Sequence, residues 1–252
     1  MDRIYIAGCP IDRVGIDEVR DSLLDAIDRR EGIHVSGVNA HSVVSATKDK
    51  AYLGMLEATP IVVVDSFWVA VAARLLGHRD VTTIGIERLV YELLYSLSDT
   101  NGTVFLLGTK EEIVHNAAEN IQQRYPGVEV VGARNGYFAD ADEDLILAEM
   151  NASRPDVVLV GMTSPKKEEW MAKHGDRIHA RVTIGVGGVL DILGNAKPTA
   201  PIWVKEIGME WLFRLVNDPK RLLKRYTVGN TQFIWLVLRD FVSKQLRNTA
   251  SG

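Results

Sequence analysis

Short apolar runs alternate with longer stretches of helical periodicity through most of this 252-residue chain, and that alternation leaves few folds open. The runs fall at Arg3–Ala7, Ile33–Ser36, Ile61–Val64, Val104–Leu107, Val128–Val131, Val157–Val160 and Val182–Ile184. Each is too short for a helix and reads as a buried strand. Between them lie helix candidates at Ile16–Arg29, His41–Asp49, Phe67–Leu76, Glu87–Ser98, Glu111–Arg124, Glu143–Ala152 and Lys166–His174. Repeated β-α alternation predicts an α/β fold, a mostly parallel sheet with helices on both faces. Ligands of such sheets bind outside the carboxyl ends of the strands, so the loops that follow strands are where chemistry is sought.

The pattern changes near Pro198. Beyond it there is no strand candidate, only helices expected at Ile202–Val216, Lys220–Val228 and Gln232–Leu246, with Pro201 and Pro219 suited to helix starts. This divides the chain into a core, 1–197, and a C-terminal helical appendage, 198–252. Charge divides in the same place. From Ala200 onward nine Lys/Arg stand against four Asp/Glu, a net of +5, while the preceding residues carry −9. Arg214, Lys220, Arg221, Lys224 and Arg225 cluster there, interleaved with Trp203, Trp211, Phe213, Tyr226, Phe233 and Trp235. Such a face suits a diphosphate, a nucleic acid or an anionic membrane surface, or it simply packs its apolar side on the body. A body of net negative charge and the lack of a recognised nucleic-acid motif argue against nucleic acid.

Other classes are narrowed by what the chain contains. Its single cysteine, Cys9, forms no internal disulfide and no cysteine-based metal site, which suits the cytosol. No signal peptide is visible, and no apolar run approaches the roughly 20 residues that span a bilayer. The six histidines have no zinc-like spacing. Asp140-Ala141-Asp142 runs into Glu143 and Asp144 and reads as an acidic helix start rather than a metal motif. No metal and no organic cofactor are expected.

The residues after the strands carry the candidate chemistry. Asp65 ends the run Ile61-Val62-Val63-Val64, where a carboxylate can serve as a general base or cap the helix that starts at Phe67. Asn39 also follows a strand. Gly161 through Glu168 follows another, with Ser164 placed to cap a helix and Pro165 at its first position. Lys167 at that helix start opposes the local dipole, so a bound anion or plain solvation is expected for it. Gly185-Val186-Gly187-Gly188 permits close backbone approach to a ligand, but Leu190 breaks the dinucleotide fingerprint.

Together these motifs resemble the WecG/TagA/CpsF glycosyltransferases, family 26. The likeness covers nearly the whole chain. Its most specific parts are Gly185-Val186-Gly187-Gly188-Val189-Leu190-Asp191, Ala200-Pro201-Ile202-Trp203, Gly208 through Leu215, Asp218-Pro219-Lys220-Arg221 and Arg225-Tyr226. Phe105 through Gly108 and Tyr125-Pro126 match as well. The resemblance implies a Rossmann-like fold whose C-terminal appendage completes the active site at the membrane. It implies metal-independent, inverting transfer of a sugar from a UDP-sugar to a polyprenyl-diphosphate-linked saccharide. By position, Asp65 corresponds to the base and Asn39 to a pocket residue. Arg214 and Arg221, with Lys224 or Arg225, correspond to groups that hold the donor diphosphate. Ser164, Lys167, Gly187, Gly188 and Asp191 complete the implied donor site. The expected location is cytoplasmic, peripheral at the inner face of the cell membrane; a homo-oligomer is left open.

The sequence departs from the family pattern at Gly37, where many members have Thr, and at Val64-Asp65-Ser66 in place of Ala-Asp-Gly. It departs again at Val81-Thr82 in place of the Glu-Arg before Gly-x-Asp, here Gly85-Ile86-Glu87, at Lys167 in place of Gln, and at Thr199 in place of Arg. These departures bear on the donor sugar. Those around Asn39 and at Lys167 also motivate a rival reading, a non-catalytic protein that binds a UDP-sugar or a lipid diphosphate.

Overall fold

The computed structural model describes residues 2–250; the side chains of residues 221–228 and 247–250 lie outside that description. The chain opens with an antiparallel hairpin, β1 (Asp2–Ile6) and β2 (Cys9–Arg13), which forms its own two-stranded sheet. The first apolar run is therefore not part of the β-α alternation. Arg3 forks onto the buried Asp12 at 2.8 and 2.9 Å, and Asp12 Oδ2 accepts the Val62 N–H at 2.7 Å. That ion pair anchors the hairpin against an edge strand of the main sheet, which would otherwise offer unpaired backbone groups.

The main sheet contains β3 (Ile33–Val38), β4 (Ile61–Val64), β5 (Thr103–Gly108), β6 (Glu129–Arg134), β7 (Val157–Gly161) and β8 (Val182–Gly185). Its order is β4-β3-β8-β7-β5-β6, and every pairing is parallel. Side chains alternate between two faces, as the strand period of two requires. Ile61, Val63, Val104, Leu106, Val157 and Leu159 pack under α1 (Ile16–Arg29), α5 (Ile86–Thr100), α6 (Glu111–Arg124) and α9 (Val189–Leu193). Val62 and Val64 turn the other way, towards α2 (Ala40–Lys48), α3 (Lys50–Ala58) and α4 (Phe67–Leu75). Phe105, Leu107, Val158 and Val160 also face that side, under α7 (Glu143–Ser153) and α8 (Lys166–His174). The expected α/β architecture, Rossmann-like with helices on both faces, is the one observed.

After the sheet come α10 (Ile202–Glu206), α11 (Glu210–Asn217) and α12 (Pro219–Ala250). The single helix expected over Ile202–Val216 is broken at Gly208, which takes φ +73° and sits so close to Phe67 that a Cβ would lie 2.3 Å from its ring. The two helices expected after Lys220 are one. Phe233, Leu236 and Val237 of α12 are buried with the hairpin, α2 and α4, so the last helix completes the second core cluster.

Candidate active site

The carboxyl ends of β4, β3, β8 and β7 stand side by side, because these strands are adjacent and parallel. Asp65, Asn39, Gly185–Gly188 and the segment 162–167 follow them in that order, so one edge of the sheet gathers candidates that lie far apart in sequence.

Asp65 extends the buried run of β4. Its N–H donates to Val38 O at 2.8 Å, and its Oδ1 accepts the Ile86 N–H at 2.7 Å. The N-cap of α4 is Ser66, with no side-chain cap, so the carboxylate does not serve that helix. Burial pushes the Asp65 carboxyl above its ordinary range. The Ile86 N–H pulls it back, as do the charges of Arg214 and Lys167, while Glu210 pushes it further up. A carboxylate held by one oxygen and raised in basicity is equipped to take a proton.

Asn39 is the N-cap of α2. Its Oδ1 accepts from His41 N–H at 3.0 Å and Ser42 N–H at 3.2 Å, which leaves the Nδ2 amide for a ligand. Ser164 does not cap α8, contrary to expectation: the N-cap is Pro165, and Ser164 Oγ donates to Glu168 Oε1 at 2.9 Å. Lys167 is not solvated either. It is 5% exposed, with Nζ 3.1 Å from Glu168 Oε1 and 3.5 Å from Gly185 O. Tyr52 OH reaches the same Glu168 oxygen at 3.4 Å, while Glu168 Oε2 is buried without a partner. A buried polar knot thus joins the loops after β7 and β8. Its centre, Glu168, entered the sequence reading only as an acidic first-turn residue at the end of the Gly161–Glu168 motif.

Gly187 takes φ +55°, a conformation that favours glycine, whereas a Cβ on Gly188 would meet nothing nearer than Asp191 Oδ2 at 3.9 Å. The space above Gly188 is open to a ligand. Asp191 is held within the protein through both oxygens: one accepts from Thr109 Oγ1 and the other from Lys197 Nζ. It pins the loop after β5 to the end of the core.

Arg214 lies on α11, ion-paired with Glu210 one turn earlier, and close enough to act on Asp65. Arg221, Lys224 and Arg225 fall outside the described residues. Glu87, in the first turn of α5, is buried and holds Lys205 Nζ at 2.8 Å and Thr199 Oγ1 at 2.5 Å. Asp140–Asp142 forms a short turn running into α7, as a helix start should. Among the described residues, no group of three or more His, Cys, Asp or Glu converges as metal ligands would. A groove of about 560 Å³ lined by Arg20, Tyr91, Tyr95 and Arg124 lies over α1, α5 and α6 and includes none of the candidates.

Fold and edge together define a Rossmann-like α/β protein, a class whose ligands bind over the carboxyl ends of the strands. Within that class the chain belongs to the WecG/TagA/CpsF family of glycosyl transferases, whose family model matches residues 4–247. One relative, the N-acetylglucosaminyldiphosphoundecaprenol N-acetyl-beta-D-mannosaminyltransferase of Staphylococcus aureus strain MW2, is 29% identical over 222 residues, covering 84% of this chain and 86% of its own. The Bacillus subtilis strain 168 protein of the same name is 27% identical over 219 residues, covering 87% of this chain and 84% of its own. The resemblance read from the motifs therefore holds.

Proposed function

We propose that this protein is an inverting glycosyltransferase that moves a sugar from a UDP-sugar to a polyprenyl-diphosphate-linked saccharide, without a metal, in the synthesis of a cell-surface polysaccharide. The relatives' names support the acceptor class and a hexosyl group as the cargo. The observation that carries the reading is Asp65, a carboxylate at the end of buried β4, held through one oxygen by the Ile86 N–H, raised in basicity by burial and within the electrostatic reach of Arg214.

The acceptor hydroxyl attacks the anomeric carbon on the face opposite the diphosphate. Asp65 takes its proton as that bond forms, and the bond to UDP breaks, leaving inverted configuration. UDP departs with added negative charge, which Arg214 and Arg221, with Lys224 or Arg225, offset in place of a metal. Asn39 Nδ2 and the open backbone at Gly187 and Gly188 would meet the donor. Ser164, Lys167 and Asp191 act through the protein, by shaping these loops.

Residues 198–252 serve as the appendage that brings this site to an anionic membrane. Ile202, Trp203, Ile207, Trp235, Leu238 and Val242 are all exposed there, among basic residues. No helix among the described residues is long and apolar enough to cross a membrane, which suits a peripheral arrangement.

A panel of UDP-sugars incubated with a short-chain lipid-diphosphate saccharide tests the reading by release of UDP. Release with one donor, dependent on acceptor, is expected. Binding of UDP-sugar with no release from any donor would instead favour the non-catalytic reading.

A further inference from the structure

The turn Gly85-Ile86-Glu87 grips two parts of the site at once. Ile86 N–H holds Asp65 Oδ1 at 2.7 Å. One residue on, Glu87 is 7% exposed and bonded on both oxygens, by Thr199 Oγ1 at 2.5 Å and Lys205 Nζ at 2.8 Å. Lys205 Nζ also reaches Thr199 Oγ1 at 3.1 Å, so the three groups close a triangle. Thr199 and Lys205 belong to the segment that leads into α11, and Gly208 seats that segment on Phe67, two residues after Asp65. Glu87 ends the Gly85-Ile86-Glu87 motif, and Thr199 is one of the departures from the family pattern, standing where an Arg is usual. The structure places them in contact, with Lys205 supplying the cation that Thr199 lacks.

We propose that Glu87 is a positioning residue: through Lys205 and Thr199 it latches residues 199–217 to the turn that holds Asp65, and so couples the seating of Arg214 to the alignment of the base. This rests on Asp65 being the base, as proposed above. Among the described residues, the charges that act most on Asp65 are Arg214 and Glu210 from α11 and Lys167 from α8. Releasing the latch withdraws the α11 pair together and leaves Lys167 in place. Because the pair carries opposite signs, Arg214 having the larger effect, the net result is a weaker pull on the Asp65 proton equilibrium.

The test uses the full chain with Lys205→Met, Lys205→Arg, Thr199→Val and the swapped pair Glu87→Lys/Lys205→Glu. In Lys205→Met the acidic limb of kcat/KM moves to higher pH and kcat falls by roughly tenfold or more. Lys205→Arg retains activity, Thr199→Val loses less than Lys205→Met, and the swapped pair recovers at least part of the loss. A role in stability alone would lower the melting temperature and leave the acidic limb where it was. An unmoved limb, or a swapped pair no better than Lys205→Met, overturns the proposal. Hydrogen exchange reads the latch without turnover: amides of Ile202–Asn217 exchange about tenfold faster in Lys205→Met while those of β3–β8 do not change. Unchanged exchange there also overturns it. Wild-type protein that releases no UDP but shows the exchange difference would retire the transferase reading and keep the latch. If Lys205→Met does not fold, Thr199→Val carries the same two measurements.

Discussion

Installing the threonine common in the family at Gly37 should damage this particular protein. A Cβ on Gly37 would lie 2.5 Å from Ile86 Cγ1, 3.2 Å from Ile86 Cδ1 and 2.9 Å from Asp65 Cβ. Carbon atoms in ordinary contact stand about 3.5–4.0 Å apart, so something must move by roughly 1 Å. Ile86 has little room to retreat, because it is 2% exposed within the core cluster that contains Ile84, Leu89 and Val90. The movement therefore passes to the turn whose Ile86 N–H holds the Asp65 carboxylate. Overpacking of this kind costs about 1–3 kcal/mol. In a chain of this length each kcal/mol corresponds to about 2–4 °C, so Gly37→Thr should melt about 2–12 °C below wild type. A base misplaced by 1 Å can cost on the order of 10²-fold in turnover, which UDP release would read. Ile86→Ala removes two of the three near atoms, Cγ1 and Cδ1, and leaves Asp65 Cβ at 2.9 Å. The double variant should therefore be more stable than additivity predicts, with a coupling of about 1 kcal/mol or more in a double-mutant cycle. Gly37→Thr that melts within a degree of wild type and turns over normally would refute the reasoning, as would strict additivity with Ile86→Ala.

Asp65→Asn keeps an oxygen for the Ile86 N–H but cannot take a proton, so turnover should fall by roughly 10²–10⁴ while UDP binding persists; wild-type turnover would remove the base assignment. The raised Asp65 carboxyl binds its proton more tightly folded than unfolded, so wild type loses stability as pH rises from the ordinary value of 3.8 through the folded one, and the asparagine variant does not. Urea midpoints should show the gap moving in favour of Asp65→Asn with rising pH, and a constant gap contradicts that sign. Lys167→Met strands the buried Glu168 carboxylate and should cost about 3–5 kcal/mol in urea unfolding, with much of it recovered by adding Glu168→Gln; a loss below 1 kcal/mol would mean the pair is not buried as described. EDTA should leave UDP release unchanged, and activity restored only by Mg²⁺ or Mn²⁺ would contradict the metal-independent mechanism. Binding to vesicles should be stronger with anionic than with neutral lipid and weaken with salt; equal binding to both would remove the membrane role of residues 198–252.

Much of the sheet was legible because most of its strands, β4 and β7 above all, centre on a short apolar run, and the buried strands of a parallel sheet need such runs. The helices at Ile16–Arg29, Glu111–Arg124 and Lys166–His174 have the bounds that their periodicity predicted. Asp65 could be picked out for the same local reason, as a carboxylate ending a buried strand. The hairpin strand Cys9–Arg13 was not legible, since Pro10 and Asp12 interrupt its apolar pattern and only Arg3 and the Val62 N–H make a buried Asp12 tolerable. Lys167 read as a solvated or anion-binding lysine because its burial depends on the side chain of Glu168 and the carbonyl of Gly185, which arrives from another strand. The contacts of Asp191 with Thr109 and Lys197, one on each carboxylate oxygen, were likewise invisible in the sequence. Gly208 breaks a helix that its neighbours favour, because the approach of Phe67 leaves no space for a side chain. Periodicity and capping are properties of neighbouring residues and survive in one dimension. Whether a charge is buried, and what neutralises it, depends on groups such as Glu87 and Lys205 that are 118 residues apart, and only the folded chain brings them together.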